Sequence, residues 1–224
     1  MEHAPRRLDT HRLAFEVHSR RGRLLLALRA AKAAAALVGA THPLAHALVV
    51  RAALAIRAAA AAQQQRQQGA EVANGGGGSS TNGAALEVAT QQATALLGGA
   101  SPEAYHERWA AKHGGASLQH RTVAAELSAL LAPGSAAEVA ARLVAGGCAG
   151  ASHKQAVAVH ELLLDRMRQP EAAEAWRAAA AQVFRLSRYF GGPDLLPLPA
   201  QAPATEGEAG MANGLSHDVA ALKL

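Results

Sequence analysis

The sequence predicts an all-α fold. Half of the 224 residues are apolar, but most of that half is alanine, the strongest helix former, and aromatics are only 3%. The breaks in the apolar pattern fall at glycine, proline and small hydroxyl or acidic residues, which stop and start helices. No stretch alternates convincingly between apolar and polar residues as a strand would. Alanine buries little area per residue, so a core of this composition depends on close approach of helices.

The elements follow in order. Asp9 or Thr10 reads as the cap of a first helix running to about Arg21, where Gly22 breaks it. Residues 23–38 read as a second helix with Leu24, Leu28 and Ala31 on one face, and Gly39 stands where a C-terminal glycine is expected. The third helix opens at Pro43, whose missing N–H has no helical partner in the first turn anyway, and runs to about Gln68. Residues 69–83 pass from glutamine into glycine, serine and asparagine and read as a flexible linker or inserted loop.

Helices then resume at 84–97, at 102–113 behind the Ser101-Pro102 cap, and at 117–131. Ser135 with Glu138, and Ser152 with Gln155, read as capping boxes. A last long helix opens at Pro170, carries Trp176, Val183, Phe184 and Tyr189, and ends at Gly191-Gly192. From 193 to 224 the chain is rich in Pro, Ala, Gly and Glu, a composition that predicts disorder.

Helical hairpins joined by short loops bury their apolar faces by stacking on one another. A 34-residue tetratricopeptide register fits the first pair in degenerate form. With Gly22 at the inter-helix turn, Ala27 and Ala34 take the positions where that repeat needs small side chains, although its proline is not matched. The expected class is a tetratricopeptide-like α-solenoid, with repeat segments at 1–68 and 84–192, a low-complexity insertion at 69–83 and a disordered tail at 193–224.

Charge is uneven. Residues 1–68 hold eleven Lys/Arg against Glu2, Asp9 and Glu16, a net +8, while the remainder nets −3. A basic front end suits nucleic acid, an anionic partner or a targeting peptide, and equally the solvated faces of Arg-rich helices. Early acidic residues and the lack of serine before Ser19 argue against a transit peptide. Cys148 is the only cysteine, which excludes an intrachain disulfide and fits a reducing compartment; it reads as a small residue near a helix end. No run of about 18 uninterrupted apolar residues occurs, so no membrane span is expected.

Candidate chemistry is sparse. His42 and His46 in "THPLAH" stand four apart, but His42 precedes the helix and no nearby Asp, Glu or Cys supplies the third ligand that zinc needs. His113, His120 and Arg121 have no carboxylate spaced with them and read as structural. "NGGGGSSTNG" lacks the Gly-Lys-Ser/Thr ending of a phosphate loop. Arg188 to Pro193 is the nearest approach to an acetyl-CoA pyrophosphate loop, and it ends a helix in proline. Trp109 and Trp176 stand isolated, a poor platform for stacking RNA bases. Neither cofactor nor direct small-molecule substrate is expected.

Several stretches, in order, resemble the auxiliary, non-catalytic subunit of the N-terminal acetyltransferase A (NatA) complex near its C-terminal end. "THRLAFEVHSRRGRLLLALRAAKAAAAL" is similar to a helix pair of that family, through Thr10, His11, Phe15, Glu16, Arg20, Arg21, Leu25, Leu26, Leu28 and Lys32. His42, Pro43 and His46 match its Ser-His-Pro-x-x-His. "LLGGASPEAYHERW" resembles its Leu-Phe-Gly-Ala-Thr-Asn-Pro turn and the following helix. Ser117, Leu118, His120, Arg121, Ala124 and Ala125 match its Ser-Leu-Pro-His-Arg-Leu-x-Ala-Ala, and "PEAAEAWRAAAAQVF" has the spacing of its last helix. The likeness spans about residues 8–190; the linker looks inserted and many bulky positions are alanine.

The resemblance implies a cytoplasmic helical scaffold that binds the catalytic acetyltransferase subunit, associates with the ribosome and carries no acetyl-transfer residues itself. Family members are several times longer, so the chain corresponds to their C-terminal portion. Arg20, Arg21 and Arg23, in the Arg-rich stretch 6–32, are the candidate charged interface. An organellar RNA-binding protein or a generic protein-interaction repeat is the alternative.

Overall fold

The computed structural model describes residues 7–73 and 81–191, and among them it contains nine α-helices and no strand. The N-terminal set is α1 (Leu8–Arg20), α2 (Leu24–Val38), α3 (Pro43–Ala73) and α4 (Thr81–Leu96). The C-terminal set is α5 (Pro102–His113), α6 (Leu118–Leu131), α7 (Ala136–Ala145), α8 (His153–Glu161) and α9 (Pro170–Val183).

The first hairpin is built on small residues. Ala27, Leu28, Ala31 and Ala34 are buried on α2, and Ala27 and Ala34 are 2% and 0% exposed. That i, i+4, i+7 stripe lets α1 and α3 lie close, with Phe15 and Leu48 filling the space between alanines. Gly39 ends α2 with φ +86° and ψ 155°, a backbone region essentially confined to glycine, and its N–H bonds the Ala35 carbonyl at 2.9 Å. α1 begins at Leu8, so Asp9 lies in the first turn and is not its cap; there the helix dipole favours its charge.

α3 is the central element. Leu48, Val49 and Ile56 face the α1/α2/α4 core, while Ala47 and Val50 meet Leu127 of α6. Residues 43–68 are long and apolar enough to cross a bilayer by length and composition, and half of the most apolar 18 residues among them is buried in the fold. Two of the three arginines that interrupt this stretch pair within the fold, Arg51 with Glu126 and Arg57 with Glu103, the latter at 2.6 Å. Helical backbone extends into the expected linker from both ends, to Ala73 and from Thr81; residues 74–80 lie outside the described residues, as does the expected tail from 193 onward.

Two boundaries depart from expectation in the C-terminal set. Ser135 makes no capping box: Pro133–Ser135 form a 3₁₀ turn leading straight into α7, and Ser135 donates to the Ala132 carbonyl at 2.8 Å. Its φ of −95° and ψ of 4° are not the extended backbone that an N-cap requires. Ser152 and Gln155 do form the reciprocal box at the start of α8. That helix widens into a π-turn at Leu162–Arg166, where the Met167 N–H reaches back five residues to Leu162.

The last helix ends at Val183, well short of Gly191. Continuing it would carry Phe184 and Phe190 away from one another. Instead the chain turns, their rings stack at 6.0 Å, and Phe190 is buried against His153 and His160. Trp176, completely buried at the centre of the C-terminal core, donates its indole N–H to the Ala156 carbonyl at 2.9 Å.

Candidate functional site

The candidate charged residues lie at the α1–α2 turn. Arg20 ends α1, Arg21 and Arg23 follow it, and all three are exposed. Among the described residues none of the three pairs with a carboxylate. Cations at a helix C-terminus are favoured by the dipole, which accounts locally for Arg20 and for Arg21, the C-cap of α1; Arg23 precedes the N-terminus of α2, where the dipole disfavours a cation.

A second cluster lies where α3, α5 and α6 meet. His46, 1% exposed, stacks on Trp109 with ring centroids 4.1 Å apart and planes within 4°. Tyr105 flanks His46 at 5.2 Å, and His120 and His113 lie 5.8 and 5.9 Å from Trp109. Trp109 is therefore not isolated; it is the hub of a ring stack. His113 and His120 do come together there, but Arg121 does not join them. It reaches the carbonyls of Gly146 and Gly147, the latter at 3.0 Å, and closes the C-terminus of α7.

A hydrogen-bonded line runs through the cluster. His46 Nε2 and His106 Nδ1 are 3.1 Å apart, and His106 Nε2 lies 3.0 Å from Ser128 Oγ. Burial pushes His46 down to about 3, reinforced by the neighbouring His106 and His113; burial lowers His106 and His42 as well. Neutral imidazoles exchange hydrogen bonds and stack without repulsion, so the line ties α3, α5 and α6 together. Among the described residues no three His, Cys, Asp or Glu side chains converge as ligands of one metal ion. The 105/109/113 spacing on α5 was the available sequence signal for this stripe.

Beside the stack a groove of about 390 Å³ opens between the α2–α3 loop, the end of α4 and one face of α5. Leu96, Leu97, Tyr105 and Trp109 are among its lining residues, together with the cations Arg108 and Lys112. A larger one, of about 710 Å³, lies at the C-terminal turn beside Phe184, Arg185, Leu186, Arg188 and Tyr189. Cys148 is buried with its thiol 3.8 Å from the Ala179 carbonyl.

No protein-family model matches the chain, and no curated protein matches it either.

Proposed function

We propose that the chain is a non-catalytic scaffold segment of a NatA-type N-terminal acetyltransferase complex. Its helices form part of a tetratricopeptide-like superhelix that holds the catalytic subunit and supports co-translational acetylation at the ribosome in the cytoplasm. The observation that carries this reading is the α1–α2 hairpin. Its contact rests on Ala27 and Ala34, the small-residue positions of the repeat register, and its turn presents Arg20, Arg21 and Arg23 without acidic partners. The stretches resembling the NatA auxiliary subunit fall on these same helices, on the entrance of α3, and on α5, α6 and α9. In this reading the basic turn contacts an acidic face of the scaffold or ribosomal RNA, and such a contact weakens as salt rises.

The test is co-purification of the chain, joined to the upstream repeats that the resemblance implies, with a NatA catalytic subunit. Stable assembly and salt-sensitive co-sedimentation with ribosomes are expected, and Arg20→Glu, Arg21→Glu and Arg23→Glu together should weaken one of them. Acetyl transfer to peptides by the isolated chain would overturn the scaffold reading. Unchanged assembly and ribosome association in the triple variant would remove the role of the basic turn alone.

A further inference from the structure

We infer that the groove between the α2–α3 loop, α4 and α5 is a docking site for a short acidic peptide segment of a partner protein, one that places an apolar side chain against the partly exposed Leu96 and Tyr105 and carboxylates against Arg108 and Lys112. Three observations meet there. The groove has three separate walls: Ala40 and Thr41 from the loop, Leu96, Leu97 and Gly98 from the end of α4, and a face of α5. It is thus shaped by tertiary packing. Trp109 is fixed from behind by the His46 ring stacked on it, so the aromatic wall is already in place before anything binds.

Charge selects the occupant. Arg108, Lys112 and His113 line the groove, and no acidic residue does. Arg108 and Lys112 stand one turn apart on the same face, a like-charge pairing that destabilises an isolated helix. Neither is paired with a carboxylate among the described residues, and the bond recorded for Arg108 runs from Nε to the Ala104 carbonyl of its own helix, at 3.3 Å. Lys112 lies in the last turn of α5, where the helix dipole favours a cation, but Arg108 lies mid-helix, where the dipole gives it no such role. Arginine and a fixed aromatic ring around an apolar slot are the groups that carry most of the energy at protein interfaces, and paired cations recognise acidic motifs. Nucleic acid fits less well: a phosphate backbone needs an extended track of cations, and this groove sets only Arg108, Lys112 and His113 beside a largely apolar lining.

This proposal goes beyond the scaffold reading and does not depend on which catalytic partner the chain serves. It is tested on the full chain by selecting a phage-displayed library of random twelve-residue peptides. The selected clones are then measured against wild type and against Arg108→Glu/Lys112→Glu. Enriched peptides should combine Asp or Glu with Leu, Phe or Trp, shift the tryptophan emission of the chain, and bind the double variant at least tenfold more weakly. Arg108→Gln/Lys112→Gln, milder for folding, should weaken the same peptides in the same direction while leaving thermal unfolding unchanged. Peptides without acidic enrichment, equal binding to a folded double variant, or displacement of every selected peptide by poly(U) RNA would each overturn the proposal.

Discussion

His46 and its neighbours make the fold sensitive to acid in a defined direction. Its buried ring is held at about 3 against an ordinary 6.5, so between these values the unfolded chain binds a proton that the folded chain refuses. Stability is complete above about 6.5 and is lost as pH falls toward 3, at up to about 1.4 kcal/mol per pH unit for one group. The groups facing it are Tyr105, His106, Trp109 and His113 on α5; beyond them His120 of α6 lies against Trp109, and His42 at the entrance of α3 feels His120. His106 and His42 are lowered too and act with the same sign. Glu103, kept below the usual carboxylate range by hydrogen bonds that outweigh its burial, adds its own loss at lower pH. His46→Phe retains a ring against Trp109 and removes the titration. Thermal unfolding of wild type and variant across this range should therefore converge on acidification, the wild type falling more steeply. At Gly39 the cost is in the backbone: Gly39→Ala places a side chain at φ +86° and should lower stability by about 1–3 kcal/mol in urea unfolding.

The hairpin α1–α2 tests which face of an alanine-rich helix is inside. Ala27 is buried and Ala36 exposed on the same helix. Ala27→Arg should cost at least the roughly 1–3 kcal/mol of overpacking, with burial of charge added, whereas Ala36→Arg should be near neutral. Calorimetric melting of the two variants checks this, and equal effects would mean that the facing is wrong. Sequence reasoning does well on this hairpin because short loops and glycine stops leave few alternatives for how the pair folds. It does less well at α7 and α9. The Ser135 box matched the motif, but the preceding Pro133 turn decides the backbone of Ser135, and no local pattern states that. The end of α9 is decided by Phe190 packing near His153 and His160, residues about thirty positions earlier in the chain.

Across the whole molecule, a small cluster among the described residues sits apart from both the N-terminal core and the core around Trp176: Leu127, completely buried, meets Ala47 and Val50, next to the ring stack and the Arg57–Glu103 pair that also tie α3 to α5. Glu126 beside Leu127 holds Arg51 of α3 and Arg166 of the π-turn together. Leu127→Ala should cost about 2–5 kcal/mol, and it should do so at the junction. Hydrogen exchange should then show the helices around Phe15 and those around Trp176 opening at different urea concentrations, where the parent chain opens as one. A single shared transition in the variant would show that the clusters are coupled elsewhere.

The sequence by itself determined that the chain is helical, where most helices begin, and that Ala27 and Ala34 are inside, because propensity, caps and periodicity are local properties of neighbouring residues. The basic turn at Arg20, Arg21 and Arg23 was likewise legible in it. Only the tertiary structure decided that His46, sixty residues before His106, shares a hydrogen bond with it, that Trp109 is the hub of a stack, and that Arg108 and Lys112 border a groove. The spacing along α5 was visible, but the partner ring comes from α3, and nothing local to either helix specifies the angle at which they cross. The packing that brings α3 to this corner of the fold includes Ala47 and Val50 against Leu127, a contact between segments about eighty residues apart.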